Sequence, residues 1–125
     1  MLLSDYPFNL QVVIHKYVTE GIILSSNVSV DARSIYLGYI QGKLDFINGF
    51  ILFFKEYIDL QISVDKLAYS FHYQDLENNL IFRYDNAKHK PDLGFIEHKH
   101  IKNEIISSQV PSLEEVILEI IMEHL

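Results

Sequence analysis

The sequence predicts an α+β fold, in which a curved antiparallel β-sheet of about five strands has an N-terminal and a C-terminal helix packed on one face. Three observations support this prediction. Apolar residues recur at helical spacing near both ends of the chain, they alternate with polar residues in the middle, and the middle segments are short and bounded by turn residues. We expect a single domain over residues 1–125, because there is no internal repeat and no linker rich in Pro, Gly or Ser.

The first half of the chain begins with a predicted helix and continues as strands. Apolar residues at positions 10, 13, 14, 17 and 18 predict the helix over residues 9–19. Segments rich in Ile, Val, Tyr and Phe then predict strands over residues 21–30, 34–41, 43–47, 49–60 and 66–74. Asn48-Gly49 stands between two apolar runs, which predicts a type I′ turn that pairs Leu44–Ile47 with Phe50–Phe54.

A second hairpin is predicted around the polar turn 75–79. Apolar and aromatic residues alternate with polar ones on both sides of this turn, over residues 66–74 and 80–85. If both aromatic stripes face the core, His72 lies on the outer face directly opposite Arg83. We therefore expect His72, Arg83 and Asp85 to lie together on one surface.

The end of the chain is predicted to be a loop followed by a helix. Pro91, Gly94 and Pro111 indicate that residues 86–110 are irregular. Ser112 and Glu115 then form a capping box before an apolar stripe at positions 113, 116, 117, 120 and 121. The closing helix therefore begins after Ser112.

Composition excludes several classes of protein. The chain has no cysteine, which excludes disulfide scaffolds, zinc ribbons and thiol catalysis. There is no evident signal peptide or membrane-spanning run, so we expect a cytoplasmic protein that does not contact membranes. A net charge of −7 argues against a uniformly basic nucleic-acid-binding surface. Residues 83–102 are the exception, since five Lys or Arg and three His stand there against three acidic residues.

This basic segment and the neighbouring hairpin hold the candidate site. The catalytic candidates are His72, Arg83, Asp85, His89, His98 and His100, and the candidates for substrate binding are Lys88, Lys90 and Lys99. In one mechanism that fits these residue types, they cleave an RNA phosphodiester without a metal or another cofactor. One imidazole or carboxylate takes the proton of the 2′-hydroxyl, a second imidazole protonates the leaving oxygen, and Arg83 with a lysine stabilises the charge on phosphorus. We expect these residues to be exposed, so that substitutions change activity more than stability.

Other interpretations of the same residues remain open. In one of them, His98, His100 and either His89 or Asp85 bind a divalent metal ion that activates water. In another, Arg83 and Asp85 form an ordinary surface ion pair, and the histidine-rich face belongs to a binding module without catalytic activity.

The second half of the chain resembles the TumE family of toxins. The residues that carry the resemblance are SFHYQDLENNLIFRYDNAKHKPDL, EHKH and PSLEEVILEI, within residues 66–125. The sequence departs from the family pattern after Ala87, where Lys88-His89 replaces an expected pair of histidines. If that pair supplies both a base and an acid, one of the two roles is missing here.

The resemblance implies a growth-inhibiting toxin of a toxin–antitoxin pair that acts on RNA or another part of translation. Its expected partner is a cognate antitoxin protein, with RNA as the expected target. A homodimer is a further expectation, because exposed apolar residues in the segment 21–24 or in the first helix could form such a contact.

Overall fold

The computed structural model describes residues 1–89 and 92–125. Two helices and seven strands follow one another along the chain: α1 (Asp5–Thr19), β1 (Ile23–Ala32), β2 (Leu37–Phe46), β3 (Ile51–Asp59), β4 (Asp65–Gln74), β5 (Leu80–Asp85), β6 (His98–Ile101), β7 (Glu104–Ser107) and α2 (Leu113–His124). The strands form one open antiparallel sheet in the order β1-β2-β3-β4-β5-β6-β7. The predicted α+β class is confirmed.

The predicted strand number of about five is wrong, because the segment expected to be irregular contains β6 and β7. These two short strands pair antiparallel, and Asn103 between them has a positive φ of 66°. Their residues are mostly polar or only half-buried, so they lack the alternation of apolar and polar residues that indicates a strand.

Both helices pack on the same face of the sheet, as predicted. Tyr6 of α1 donates a hydrogen bond to Glu56 of β3, at 2.7 Å. Glu119 of α2 accepts a hydrogen bond of 2.9 Å from Lys99 of β6. The core of the protein lies between this layer of helices and the sheet, and Leu44, Leu52 and Phe71 are among its fully buried side chains. We call the opposite side of the sheet the open face.

The hairpin at Asn48-Gly49 exists, but its turn is not of type I′. The two predicted segments pair antiparallel, but the register differs by one residue: Leu44 lies opposite Leu52, whereas a two-residue turn would place it opposite Phe53. Gly49 has a φ of +84°, whereas Asn48 does not have a positive φ, and a type I′ turn needs one at both central residues. The loop between the paired Phe46 and Phe50 has three residues rather than two, and the backbone N–H of Gly49 donates to the carbonyl of Phe46 at 2.9 Å.

The prediction that Gly42 separates two strands is wrong, because Gly42 lies within β2. A Cβ atom at this position would come within 2.1 Å of the Phe54 ring, which packs directly over the backbone. Glycine at position 42 is therefore needed for packing rather than for a turn.

The closing helix follows the prediction closely. The Ser112 side chain accepts from the backbone N–H of Glu115 at 3.1 Å, and the Glu115 side chain accepts from the backbone N–H of Ser112 at 3.1 Å. The apolar stripe of α2 packs into the core through Leu113, Val116, Ile117 and Ile120. Within the described ranges, neither helix is long and apolar enough to cross a membrane.

Candidate functional site

The register of three neighbouring strands places the candidate residues in two rows. His72 pairs with Arg83, as predicted, and Arg83 pairs with His100. In the next row, Asp85 lies opposite His98. Directly paired residues point to the same side of a sheet, so these side chains share the open face.

Four potential ligand atoms converge at the end of this face. His98 Nε2 lies 2.6 Å from Asp85 Oδ1, 2.9 Å from His89 Nε2 and 3.1 Å from His100 Nε2. His100 Nε2 lies 3.6 Å from the other carboxylate oxygen, Asp85 Oδ2. We call these four residues (Asp85, His89, His98 and His100) the Asp85 cluster. Its ligand atoms all lie within 4.8 Å of one another.

The centre of the Asp85 cluster is buried, which contradicts the expectation of an exposed site. His98 is 0% exposed and Asp85 is 4% exposed. His89 and His100 are only partly buried, so the cluster reaches solvent through these two imidazoles. Burial arises because the chain after β5 turns back over β6, which brings the His89 ring to 4.6 Å from the His98 ring.

The backbone fixes the tautomer of His98. Its Nδ1 lies 2.6 Å from the carbonyl oxygen of Ile96. A carbonyl oxygen can only accept, so Nδ1 carries a proton and donates it. In neutral His98 the other nitrogen, Nε2, is therefore the unprotonated one, and it points into the cluster.

Arg83 connects Asp85 to His72. Its Nε donates to Asp85 Oδ2 at 2.7 Å, and its Nη1 lies 3.3 Å from His72 Nδ1. The Arg83 side chain is 37% exposed, so the guanidinium also faces solvent. Arginine has five N–H donors, which leaves donors free for a ligand.

Electrostatics keep Asp85 charged and His72 and His100 neutral. Burial acts to raise the pKa of Asp85, but hydrogen bonds from Arg83 and from the backbone N–H of Ala87 hold it below its usual value. Burial lowers the pKa of His100, against the opposing effect of the Asp85 charge. Burial and the charge of Arg83 likewise lower the pKa of His72. At neutral pH the imidazoles of His72 and His100 are thus neutral, beside a charged Asp85.

The three lysine candidates have different outcomes. Lys99 lies on the helix-covered face, where its Nζ is 2.9 Å from Glu119 and 4.9 Å from the Tyr84 ring centroid. Since His98 and His100 point to the open face, alternation along β6 directs the residue between them to the other side. Lys88 is exposed next to His89. Lys90 lies outside the described residues.

Sequence reasoning missed the residues that continue the site across the sheet. The row of His72 and Arg83 extends through Phe53 of β3 to Lys43 of β2, and the row of Asp85 extends to Lys55 of β3. Lys43, Phe53 and Lys55 are all exposed on the open face. Alternation within β3, where Leu52 and Phe54 face the core, was the available signal.

Comparison with known proteins identifies the family. The family model described as Toxin TumE matches residues 10–124, nearly the whole chain, whereas the resemblance seen in the sequence was confined to residues 66–125. Searches among curated proteins and solved structures found no match. The matched residues include most of α1 and the first strands as well as the Asp85 cluster, and the chain belongs to the TumE toxin family.

Proposed function

We propose that this chain is a toxin that cleaves RNA, and that the reaction takes place at the Asp85 cluster. The observation that carries the proposal is the convergence of three imidazole Nε2 atoms and one carboxylate beside an arginine on the open face. Membership of a toxin family implies a growth-inhibiting activity and a cognate antitoxin as partner. RNA as the target, and the cytoplasm as the place of action, belong to the proposal.

The position of Arg83 supports phosphodiester chemistry. Its guanidinium is held in place by Asp85 and His72 and keeps further N–H groups directed to solvent. The planar guanidinium with its several N–H donors matches the oxygens of a phosphate, and it would stabilise the negative charge that develops on them during cleavage. Arg83 therefore binds the scissile phosphate next to the cluster.

Burial limits which imidazoles can transfer protons to or from RNA. His98 has no exposed surface, so it cannot contact a substrate and instead holds its neighbours in place. His72, His89 and His100 are partly exposed. Of these, His72 and His100 have a lowered pKa, which makes them neutral at pH 7 and able to take a proton. In a metal-free reaction they are the candidates for the base.

The open face supports RNA as the substrate. Lys43 and Lys55 are exposed there, and Phe53, which is 37% exposed, lies between Lys43 and His72 in one row across the sheet. Exposed aromatic rings and lysines on a sheet bind single-stranded RNA by stacking with bases and by pairing with phosphates. These contacts are local, so a net charge of −7 for the whole chain does not oppose them.

The surfaces expected to bind the antitoxin or a second copy stay predictions. Leu24 of the segment 21–24 is 62% exposed, although its neighbour Ile23 is buried. In α1, Phe8 and Val12 are 69% and 55% exposed. Both regions lie away from the strands that hold the Asp85 cluster, so a partner bound there would not need to touch the site.

Expression in bacteria tests the proposal. The wild-type chain is induced alone and with its neighbouring open reading frame, and RNA is recovered and mapped for new ends. We expect growth arrest, rescue by the neighbour and new RNA ends. Arg83→Gln should lower RNA cleavage about 100-fold, because it removes a charge aimed at the phosphate.

Arg33→Gln is the matched control, because Arg33 pairs only with Asp31 on the exposed surface. It should leave toxicity unchanged. A folded His98→Ala/His100→Ala double variant that stays fully toxic would disprove the assignment of the site. Growth arrest without RNA cleavage by the purified chain would instead favour a toxin that binds its target without cutting it.

A further inference from the structure

We propose that the Asp85 cluster binds a divalent transition-metal ion, with Zn²⁺ as its simplest representative. The ligands are the Nε2 atoms of His89, His98 and His100 and the carboxylate of Asp85. Binding of the ion is inferred from geometry alone, whereas its catalytic use rests on the proposed function.

The spacing of the four ligand atoms is the first argument. Zn²⁺ bound tetrahedrally by nitrogen and oxygen at 2.0–2.2 Å holds neighbouring ligand atoms about 3.4 Å apart. The contacts that His98 Nε2 makes in the cluster are 2.6, 2.9 and 3.1 Å, and that between His100 Nε2 and Asp85 Oδ2 is 3.6 Å. An outward shift of the side chains by less than 1 Å would therefore create a site of the right size. Three imidazoles and one carboxylate are ligand types that suit such an ion.

Hydrogen bonding within the cluster does not explain the same contacts. Nδ1 of His98 donates to Ile96, and its Nε2 faces a carboxylate oxygen and two other imidazole nitrogens. A second proton on His98 could be directed to only one of these three atoms. A cation at the centre attracts all four ligand atoms at once, and so compensates for burying them.

The surroundings of the cluster resemble the outer shell of a metal site. Metal-binding imidazoles usually donate their other N–H to a carbonyl or carboxylate, and metal-binding carboxylates accept further hydrogen bonds. His98 donates to the carbonyl of Ile96 in this way. Asp85 accepts from Arg83 at 2.7 Å and from the backbone N–H of Ala87 at 3.1 Å. These contacts orient two of the four ligands before any ion arrives.

A second group of possible ligands on α2 is a weaker candidate. Glu119, Glu123 and His124 also lie close enough to share an ion. However, Glu119 already accepts hydrogen bonds from Lys99 and Tyr84, and Glu123 is exposed. This group therefore serves as an internal control rather than as a second site.

Within the proposed function the ion would supply an activated water as the nucleophile. In that reaction the water would give a proton to solvent and its oxygen would form a bond to phosphorus, while the bond from phosphorus to the leaving ribose oxygen breaks and that oxygen takes a proton from water. Arg83, beside the ion, stabilises the charge on the phosphate oxygens.

The test measures metal binding by the whole chain without an affinity tag. The chain is stripped with a chelator, dialysed, and titrated with ZnCl₂ and separately with MnCl₂ by isothermal calorimetry at pH 7.5. Elemental analysis counts the ions retained after gel filtration. We expect one ion per chain, a dissociation constant for Zn²⁺ below about 1 μM, and a higher Tm in the presence of the ion.

Variants at the partly exposed ligands test the site without removing the buried His98. His100→Ala and His89→Gln should each weaken Zn²⁺ binding by at least about 10-fold to 100-fold, the loss expected even for outer-shell contacts, and should abolish the rise in Tm. The controls His15→Gln and Glu123→Gln should bind as the wild type does. Stoichiometric binding that survives in His100→Ala, or wild-type protein that binds neither ion, would overturn the inference.

The same preparations separate the two proposals. Zn²⁺ binding without RNA cleavage would leave the metal site standing and refute the proposed function. RNA cleavage that continues in excess chelator, by protein shown to hold no metal, would refute the catalytic use of the ion and leave the ribonuclease standing. Cleavage that is lost in chelator and restored by Zn²⁺ or Mn²⁺ would support both.

Discussion

Two buried carboxylates on opposite faces of the same sheet have very different surroundings. Glu56 points toward the helices and is 0% exposed. It accepts from the Tyr6 hydroxyl at 2.7 Å and pairs with Lys66 at 2.6 Å. Asp85 points to the open face and is 4% exposed. Arg83 donates to Oδ2 and the backbone N–H of Ala87 donates to Oδ1, while His98 Nε2 lies 2.6 Å from Oδ1 and His100 Nε2 lies 3.6 Å from Oδ2.

The difference shows how a structural charge can be distinguished from a functional one. Oε1 of Glu56 accepts from Tyr6, and Oε2 forms an ion pair with Lys66, whose Nζ also donates to the carbonyl of Pro111 at 2.7 Å. The oxygens of Asp85 also have donors, Arg83 and the backbone N–H of Ala87, but Oδ1 lies in addition 2.6 Å from Nε2 of His98, a ring whose Nδ1 donates to Ile96. The charge of Glu56 is compensated by Lys66, whereas the imidazole nitrogens that converge on Asp85 favour a further cation.

Breaking the Glu56 pair should give the largest effect on stability. Lys66→Met leaves a buried carboxylate without its cation, and we expect the free energy of unfolding to fall by about 3–5 kcal/mol. Urea unfolding followed by circular dichroism measures this loss. Lys43→Met, at an exposed lysine of the same sheet, should change stability by no more than about 0.5 kcal/mol. Equal losses in the two variants would contradict the role assigned to Glu56.

The equivalent change at the other carboxylate should affect activity instead. Asp85→Asn removes the charge of the cluster, and we expect RNA cleavage to fall at least about 100-fold. Glu56→Gln is the matched control, since the folded fraction of that variant should cleave RNA at the wild-type rate. Cleavage is measured with a fluorescent oligonucleotide and corrected for the folded fraction. Full activity of Asp85→Asn would remove the contrast between the two carboxylates.

Removing the Tyr6 hydroxyl, which donates to Glu56, should have a smaller effect on stability. Burial, reinforced by the negative charge of Glu56, raises the pKa of Tyr6 far above its usual value, so its hydroxyl remains a donor at physiological pH. Tyr6→Phe should lower the free energy of unfolding by about 1.5–3 kcal/mol, the range for a hydrogen bond to a charged group. The loss should fall to about 0.5–1.5 kcal/mol in a Glu56→Gln/Lys66→Met background, where the acceptor is neutral. An unchanged loss in that background would show that Tyr6 acts through packing alone.

The smallest expected effect concerns the lysines of the open face. Lys55→Gln should weaken binding of single-stranded RNA only severalfold, and should reduce the slope of log affinity against log salt by about 0.7. Binding is measured with a non-cleavable oligonucleotide at several salt concentrations. Lys16→Gln, on α1, should leave the slope unchanged. If Lys16→Gln reduced the slope and Lys55→Gln left it unchanged, the RNA would bind on the side of the sheet that carries the helices.

Local patterns in the sequence predicted the parts of the fold that depend on near neighbours. Ser112 and Glu115 form reciprocal hydrogen bonds within one helical turn, and His72 pairs with Arg83 across one short loop. Both features could therefore be deduced from a few neighbouring residues. Strands β6 and β7 could not be recognised, because they are short and because the pairing of β6 with β5 and of β7 with β6, rather than their own apolar pattern, holds them in the sheet.

The individual site residues were easier to predict than their environment. All six catalytic candidates share the open face near one another, but the burial of Asp85 and His98 depends on how the chain after β5 folds back, and no periodic pattern encodes that path. The direction of Lys99, by contrast, follows from alternation along β6 once that segment is known to be a strand.

The sequential order of the strands has a consequence for how the site assembles. Contacts within the site join residues close in the chain, 11 apart for His72 and Arg83 and 9 apart for His89 and His98. Contacts of the helical layer join residues 50 apart for Tyr6 and Glu56 and 97 apart for Tyr17 and Glu114. Closing a loop costs about 0.6 kcal/mol more for each doubling of its length, so the site demands the smaller loss of chain entropy. The arrangement of imidazoles is thus specified by a short stretch of chain, while the helices supply the stability that keeps it in place.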